Sequence, residues 1–276
     1  MRVGILTSGG DCQGLNGAMY GLVKALNFNC KEKLEIYGIL EGYTGLINGD
    51  YKKMKSEEFE GILNMGGSIL GNSRQPFKRI NDADENGVTK LQSMIKNYKN
   101  MDLDCLVVLG GNGSHKTANL LSEQGLNVVT LPKTIDNDIN GTEMTFGFQS
   151  AIDIATRTLE ELHTTAKSHK RIIIDEIMGN KAGFLTLYSG IAGEADIILI
   201  PEIPYSIDKI VDFINKKLDE GRRHIIIAAA EGIISKEESK LTKKELKQKR
   251  ATENYTSAAV YLEKKLSEKV HREIRA

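Results

Sequence analysis

Two aspartates that follow a predicted strand are the residues best placed to do chemistry in this sequence. Asp136 and Asp138 flank one asparagine in the stretch "LPKTIDNDINGT", residues 131–142. If residues 135–138 are extended, side chains two positions apart project to the same side, about 7 Å apart at their Cα atoms. One carboxylate is then able to accept a proton from a substrate hydroxyl while the other binds Mg2+. An Asx-type turn, in which both acids bond only local backbone, is the alternative.

Two glycine-rich loops give a reason to expect a phosphate-containing ligand. Gly9-Gly10 in "TSGGDCQGLNG" and Gly110-Gly111 in "GGNGSHK" each follow a predicted strand and precede a predicted helix. Glycines let backbone N–H groups approach phosphate oxygens, and a helix start favours negative charge. Neither loop ends in the G-K-[ST] of a Walker loop, and "GNGSHK" lacks the third glycine of the dinucleotide fingerprint. One such loop alone is more often only a turn, but two of them beside paired acids favour a phosphate site.

The composition favours a small-molecule partner. The 37 basic and 37 acidic residues cancel, so no broad electrostatic field attracts nucleic acid or a membrane surface. No apolar run approaches the roughly 18 residues of a membrane-spanning helix. The N-terminus opens directly into a strand pattern, and the three cysteines show no C-x-x-C spacing. The five histidines lack the spacing of a zinc site. A cytoplasmic protein with reduced thiols is expected.

The elements that must position these loops alternate between strands and helices. Continuous apolar runs predict strands buried on both faces, as in a parallel sheet. These runs are "RVGILT", "LEIYGIL", "LDCLVVLG", "LNVVTLP", "RIIIDEI", "ADIILIPEI" and "HIIIAAAEG". Apolar residues at helical spacing predict helices over 148–166 and 254–270, and the charged segment 235–250 is expected to be a solvated helix or a mobile insertion. The predicted fold class is α/β, with two lobes that each contain a mainly parallel sheet covered by helices.

The order of the motifs resembles that of the phosphofructokinases across essentially the whole chain. The matching segments are "GILTSGGDCQGLNGA", "GYTGLINGD", "GGSILGNSR", "VVLGGNGSHKTA", "LPKTIDNDINGT", "SHKRIIIDEIMGNKAG", "ILIPEIPY" and "AAAEGI". Of these, "PKTIDND" is highly specific, whereas lipid and NAD kinases carry a loop related to "GGNG". The resemblance implies a nucleotide or phosphoryl-donor lobe over residues 1–145 and a sugar-phosphate lobe over 146–276. It further implies transfer of a phosphoryl group to the 1-hydroxyl of fructose 6-phosphate with Mg2+.

The resemblance also implies roles for individual residues. Asp136 is similar to the general base, Thr134 to the residue that contacts the reacting phosphoryl group, and Arg74 to a further catalytic and donor-binding residue. The implied donor-binding residues are Gly10, Tyr43, Arg74, Gly111, Asn112, Gly113, Ser114 and Lys133. The implied substrate-binding residues are Thr134, Asp136, Arg171, Met178, Gly179, Glu231 and Arg275. The implied metal-binding residues are Asn112 and Asp138.

The quaternary structure and the end of the chain are further implications of the resemblance. Arg171 and Arg275 are similar to arginines with which a neighbouring subunit clamps the 6-phosphate, so a homotetramer built as a dimer of dimers is expected. Family members continue beyond the position of "REIRA" into a segment with additional sugar-phosphate ligands. The sequence is therefore expected to be a fragment of a longer protein, and a truncated homologue is the alternative.

Several positions depart from the family pattern. Asn112 stands where an aspartate usually helps to bind Mg2+, which predicts weaker metal binding. Asn180 stands where arginine is common, which predicts slower transfer or assistance from Lys181. Tyr20 and Lys24 replace arginines that bind effector phosphates in regulated bacterial members, so ordinary allosteric control is not expected.

Gly113 and Lys133 point to different phosphoryl donors. Pyrophosphate-dependent members typically have an acidic residue at the position of Gly113 and a lysine at the position of Lys133. Gly113 leaves open the space for an adenosine phosphate, and steric exclusion is harder to overcome than a supplementary cation, so ATP is favoured over pyrophosphate. A catalytically impaired homologue that only binds sugar phosphate or nucleotide is the second alternative, because of Asn112, Asn180 and the missing segment. A redox enzyme with a Rossmann fold is a distant third.

Overall fold

Strands and helices alternate along the chain, and the predicted α/β fold class is confirmed. The computed structural model describes residues 1–276. The chain divides into one unit over Met1–Gln149 and another over Ser150–Ala276, and each unit contains one sheet. None of the helices combines the length and the apolar character that a membrane crossing requires.

The first unit is built on a sheet with the strand order β3-β2-β1-β4-β5-β6. Its elements are β1 (Arg2–Ser8), α1 (Leu15–Asn29), β2 (Glu35–Ile39), α2 (Tyr43–Asn48), β3 (Tyr51–Met54), α3 (Lys90–Asn100), β4 (Cys105–Gly110), α4 (Asn112–Glu123), β5 (Val128–Thr134) and β6 (Phe146–Gly147). Short 3-10 helices cover Ser56–Phe59 and Phe77–Arg79. Only β3 runs antiparallel to its neighbour.

The strand order places a ligand-binding position between β1 and β4. The chain winds from β1 towards β3 in one direction and from β4 towards β6 in the other, and open α/β sheets bind ligands where the winding reverses. The register sets the carboxyl ends of the central strands level, because Ser8 lies opposite Gly110 and Gly110 lies opposite Pro132. The loops after β1, β4 and β5 are therefore neighbours at one edge of the sheet.

Helices on both faces bury this sheet. Alternate residues of β1 enter two separate cores, since Ile5 packs in a cluster with Leu15 and Met19, while Leu6 belongs to a cluster with Leu121. All five side chains are fully buried. Burial of an apolar side chain of this size contributes about 2 kcal/mol to stability, so the central strands form a rigid support for the loops at their ends.

The second unit contains a parallel sheet with the strand order β10-β7-β9-β8. Its elements are α5 (Phe148–His169), whose first turn marks the division between the units, β7 (Ile172–Ile177), α6 (Phe184–Ala192), β8 (Ile197–Leu199), α7 (Ile207–Asp219), β9 (Ile225–Ala230), a 3-10 helix (Glu238–Lys240), α8 (Lys243–Thr252), α9 (Ala258–Ser267) and β10 (Ile274–Arg275). The central strand β9 is buried along its whole length. Leu262 and Leu266 of α9 pack in the same core.

The bounds of several predicted elements differ from the structure. The helix predicted over 254–270 is shorter, because Ser257 caps it: the Ser257 hydroxyl accepts the N–H of Val260. The strand predicted over 195–203 is only Ile197–Leu199, and Pro201 follows it without an N–H for strand pairing. The short strands β3, β6 and β10 were not predicted. In the charged segment 235–250, α8 is solvated as expected, but Glu238 is buried.

Candidate active site

The loop after β1 and the segment around Arg74 lie together at the carboxyl edge of the first sheet. The Gly9 N–H donates to the Ser73 carbonyl at 3.0 Å. The Arg74 Nη2 atom lies 3.3 Å from the position that a Cβ atom on Gly10 would occupy. Gly9 has a φ angle of +93°, a conformation that residues with side chains rarely adopt. The structure thus brings together Gly10 and Arg74, two residues that were predicted to bind the donor.

The second glycine loop forms the N-terminus of α4. Gly111 precedes the helix, and no side chain caps it, so its first N–H groups are available to an anionic ligand. A Cβ atom on Gly113 would meet no atom within 4 Å. Ser114 is buried, and its carbonyl accepts the hydroxyl of Tyr43 at 2.8 Å. Burial raises the pKa of Tyr43, so its hydroxyl stays neutral and holds the start of the helix in place.

The acids after β5 do not lie on an extended strand, so the expectation that residues 135–138 are extended is wrong. The strand β5 ends at Thr134, and Asn137 has a φ angle of +52°. The Asn137 side chain stabilises this turn, because Nδ2 donates to the Glu143 carbonyl at 3.1 Å and Oδ1 accepts the Thr145 N–H at 2.9 Å. Asparagine adopts the left-handed conformation more readily than most residues. Strand alternation therefore does not determine the directions of the two acids.

Asp138 nevertheless lies beside the other residue that was predicted to bind metal. The Asn112 Nδ2 atom donates to Asp138 Oδ2 at 3.1 Å and to the Asp138 carbonyl at 3.2 Å. Protein sites for Mg2+ commonly supply one or two carboxylates, and waters and substrate phosphates complete the coordination. One carboxylate and one amide are few ligands for a metal ion. They fit a magnesium ion that is bound mainly by the phosphates of a donor.

Asp136 is half-buried at the carboxyl edge of the first sheet. Its N–H donates to Thr134 Oγ1 at 3.1 Å, and the Thr134 carbonyl accepts the Thr145 hydroxyl at 2.6 Å. The neighbouring Lys133 is buried, and its Nζ atom donates to the Gly10 carbonyl. Burial lowers the pKa of Lys133, and the negative charge of Asp136 opposes that shift. The carboxylate predicted to act as a base therefore lies near the positive side chain of Lys133.

In the second unit, one group of predicted sugar-phosphate residues lies at the carboxyl ends of β7 and β9, which are neighbours. Met178 and Gly179 follow β7, and Glu231 follows β9. The Glu231 Oε1 atom accepts the N–H groups of Gly179 at 3.0 Å and of Asn180 at 2.6 Å. Met178 is exposed. The Glu231 carboxylate thus fixes the loop after β7 and leaves its second oxygen for another partner.

Arg171 and Arg275 form a separate group near the start of β7. Arg171 immediately precedes β7, and Arg275 pairs with Ile173. Both arginines contact one carboxylate, since Glu273 Oε2 lies 2.7 Å from Arg171 Nε and Glu273 Oε1 lies 2.7 Å from Arg275 Nη2. The two guanidinium groups lower the pKa of Glu273. The length of β7 separates this group from Met178 by about 20 Å.

Glu273 is a residue of this group that was not predicted from the sequence. The only sequence signal is its place between arginines in "REIR", and that pattern is common on exposed surfaces. The pairing of β10 with β7 is what brings Arg171, more than a hundred residues earlier in the chain, to the same carboxylate.

Comparison with known proteins gives the family. A family model described as Phosphofructokinase matches residues 2–276. The chain belongs to the phosphofructokinase family. The resemblance found in the motif order is therefore confirmed, and the predicted residue roles remain predictions.

Two curated relatives carry names that differ in the phosphoryl donor. The ATP-dependent 6-phosphofructokinase of Spirochaeta thermophila is 53% identical over 243 residues, which cover 87% of this chain and 66% of the relative. The pyrophosphate–fructose 6-phosphate 1-phosphotransferase of Dictyoglomus thermophilum is 41% identical over 235 residues, which cover 84% of this chain and 64% of the relative. The chain thus spans about two thirds of the length of these phosphofructokinase relatives.

A solved structure of phosphofructokinase from Saccharomyces cerevisiae has the same fold. It matches with a TM-score of 0.78 and 28% sequence identity over 99% of this chain and 37% of the yeast chain. The two α/β units described above are therefore those of the phosphofructokinase family.

Proposed function

We propose that this protein is an ATP-dependent 6-phosphofructokinase, which transfers the γ-phosphoryl group of ATP to the 1-hydroxyl of fructose 6-phosphate in glycolysis. The observation that carries the proposal is the meeting of three loops where the strand order reverses. These loops supply the glycine turn at Gly10, the uncapped N-terminus of α4 and the carboxylate of Asp136. The name of the 53% identical relative from Spirochaeta thermophila supports the same activity.

In the proposed reaction, Asp136 removes the proton from the 1-hydroxyl of the sugar. The resulting oxygen forms a bond to the γ-phosphorus, the bond from that phosphorus to the β,γ-bridging oxygen breaks, and ADP leaves with the electron pair. Asp136 later releases the proton to solvent. Phosphoryl transfer depends mainly on positioning and on neutralising charge. Arg74, which lies beside Gly10, and the N–H groups of the two glycine loops are proposed to stabilise charge on the transferred group.

Mg2+, when bound, neutralises part of the negative charge of the donor phosphates. Asp138 and Asn112 are the residues that would hold it, because they already contact one another at 3.1 Å. Thr134 positions the proposed base. Its hydroxyl accepts the N–H of Asp136 and so fixes the backbone at that residue.

The sugar phosphate is proposed to bind at two kinds of surface. Met178, Gly179 and Glu231 hold it at the carboxyl end of the second sheet, whereas Arg171 and Arg275 serve the site of a neighbouring subunit. The supporting observation is the separation of about 20 Å along β7, which is too long for one sugar phosphate. A homo-oligomer, in the form of a dimer of dimers, and a cytoplasmic location are parts of the same proposal.

The choice of ATP over pyrophosphate is supported by the open space at Gly113, where a Cβ atom would meet nothing within 4 Å. The test is the turnover of fructose 6-phosphate by the intact protein with Mg2+ and either donor. Turnover with ATP and not with pyrophosphate is expected. Gly113→Asp is expected to lower the ATP rate at least tenfold, because a carboxylate would enter the space of the nucleotide phosphates. Turnover with pyrophosphate alone would overturn the choice, and ligand binding without transfer from either donor would support an impaired homologue.

A further inference from the structure

Lys133 lies beside both glycine loops of the first unit. It lies near the end of β5 and is only 4% exposed. Its Nζ atom donates to the carbonyl of Gly10 and lies 3.6 Å from the position that a Cβ atom on Gly9 would take. Its main-chain carbonyl lies 3.6 Å from the corresponding position on Gly111. One residue of β5 therefore bonds to the turn after β1 with its side chain, while its backbone lies beside the turn after β4.

The hydrogen bond to the Gly10 carbonyl stabilises the buried ammonium group. An ammonium ion is costly to bury unless polar or negative groups surround it, and hydrogen bonds from a charged donor are stronger than those between neutral groups. The Gly10 carbonyl supplies the bond, and Asp11 and Asp136 supply negative charge nearby. The turn that accepts the bond contains Gly9 at a φ angle of +93°, and its other hydrogen bond runs from the Gly9 N–H to the Ser73 carbonyl at 3.0 Å.

We propose that Lys133 is a positioning residue, which holds the turn at Gly9 and Gly10 in the shape that receives the phosphates of the donor. The importance of the turn rests on the proposed function, whereas the bracing of the turn rests on the structure alone. This role adds to the sequence-based assignment of Lys133 to donor binding, because one N–H of its ammonium group is bonded to the Gly10 carbonyl.

The rate at which the Cys12 thiol is alkylated is a measure of whether this turn keeps its shape. Its side chain is buried, and its Sγ atom donates to the carbonyl of Phe146 in β6 at 3.4 Å. Burial raises the pKa of the Cys12 thiol to about 11, and the positive charge of Lys133 opposes that shift. Removal of the charge alone would make the thiolate rarer and alkylation slower. Release of the turn would expose the thiol and make alkylation faster, so the two effects have opposite signs.

The test is alkylation of Cys12 by N-ethylmaleimide in Lys133→Met, in the intact protein and without substrates. Cys12, Cys30 and Cys105 fall in separate tryptic peptides, so mass spectrometry follows each thiol. Cys12 is expected to react at least tenfold faster than in the unchanged protein, while Cys105, buried in β4, keeps its rate. Lys96→Met, which removes an exposed lysine from α3, is the matched control and is expected to change neither rate.

An unchanged or slower rate at Cys12, with Cys105 still protected, would overturn the proposal. If Lys133→Met also exposes Cys105, and so unfolds the unit, Lys133→Gln is measured by the same criterion. Its amide retains a donor for the Gly10 carbonyl, so a rate between those of the unchanged protein and Lys133→Met is expected.

In steady-state assays, Lys133→Met is expected to lower kcat with ATP while the KM for fructose 6-phosphate stays within twofold. The alkylation result needs no turnover, so failure of the proposed function and failure of this inference are distinguishable.

Discussion

At the scale of single residues, the contact between Asn112 and Asp138 is the proposed site of Mg2+ and leads to a prediction about the Mg2+ dependence of the rate. The variant Asn112→Asp places two carboxylates where an amide and a carboxylate now lie 3.1 Å apart. Like charges at this distance repel one another, and a divalent cation relieves the repulsion. We expect a lower Tm than the unchanged protein without Mg2+, recovery of Tm when Mg2+ is added, and at least a tenfold lower Mg2+ concentration for half-maximal rate.

Asn100→Asp is the matched control for this prediction. It adds the same charge at an exposed position of α3, a different helix from the one that contains Asn112. Its Mg2+ dependence is expected to match that of the unchanged protein. An Mg2+ titration of Asn112→Asp that coincides with that of the unchanged protein would show that this pair does not hold the ion.

At the scale of secondary structure elements, the strands with continuous apolar runs could be predicted and the short edge strands could not. β1, β4 and β9 are buried on both faces and β7 is buried over its first three residues, so the hydrophobic pattern alone identifies them. Three of the four residues of β3 are exposed, and the strand exists because its backbone pairs with β2. No local pattern in a sequence contains that information.

The conformation of the loop after β5 could not be predicted from the sequence either. The sequence indicates that Asp136 and Asp138 belong to a site, but not that the chain bends after Thr134. The bend depends on Asn137, whose side chain bonds groups six and eight residues further along the chain. The buried lysine is a similar case, because its partner, the Gly10 carbonyl, lies 123 residues away. Motif order identifies such residues, and only the fold identifies their partners.

A buried ion pair anchors the charged segment of the second unit to the loop after β9. Arg250 of α8 contacts Glu238 at 3.1 Å and donates to the Ile233 carbonyl, and Glu238 is 1% exposed. Loss of one partner of a buried pair leaves an uncompensated charge, which costs about 3 kcal/mol. Arg250→Met is therefore expected to lower the free energy of unfolding by about 3 kcal/mol in chemical denaturation.

The matched control is Arg157→Met, which removes an exposed arginine that pairs with Asp153 at 3.0 Å on α5. Pairs of this kind contribute only about 0.3–0.5 kcal/mol, so the midpoint of denaturation should barely move. Equal effects of the two substitutions would mean that the Arg250 contact is not the anchor of the segment.

At the scale of the whole molecule, the separation of the two arginines from Glu231 predicts sites that use residues of two chains. Asp136→Ser retains both arginines, and Arg275→Ala retains Asp136, so each variant lacks a different part of a shared site. Coexpression of the two is expected to restore about a quarter of the activity, because half of the dimers are hybrids and each hybrid has one intact site. Activity no higher than the sum of the separate variants would show that each chain completes its own site.

The most direct test of the central claim is the rate of fructose 1,6-bisphosphate formation from ATP by Asp136→Ser in the intact protein. Asp212→Ser, at an exposed position of α7, is the control and should keep the normal rate. Removal of a positioned general base typically costs a factor of about 100 to 10,000. We predict a fall of at least a hundredfold, with the KM for both substrates changed by less than about threefold and the Tm preserved. Near-normal transfer by Asp136→Ser would contradict the mechanism.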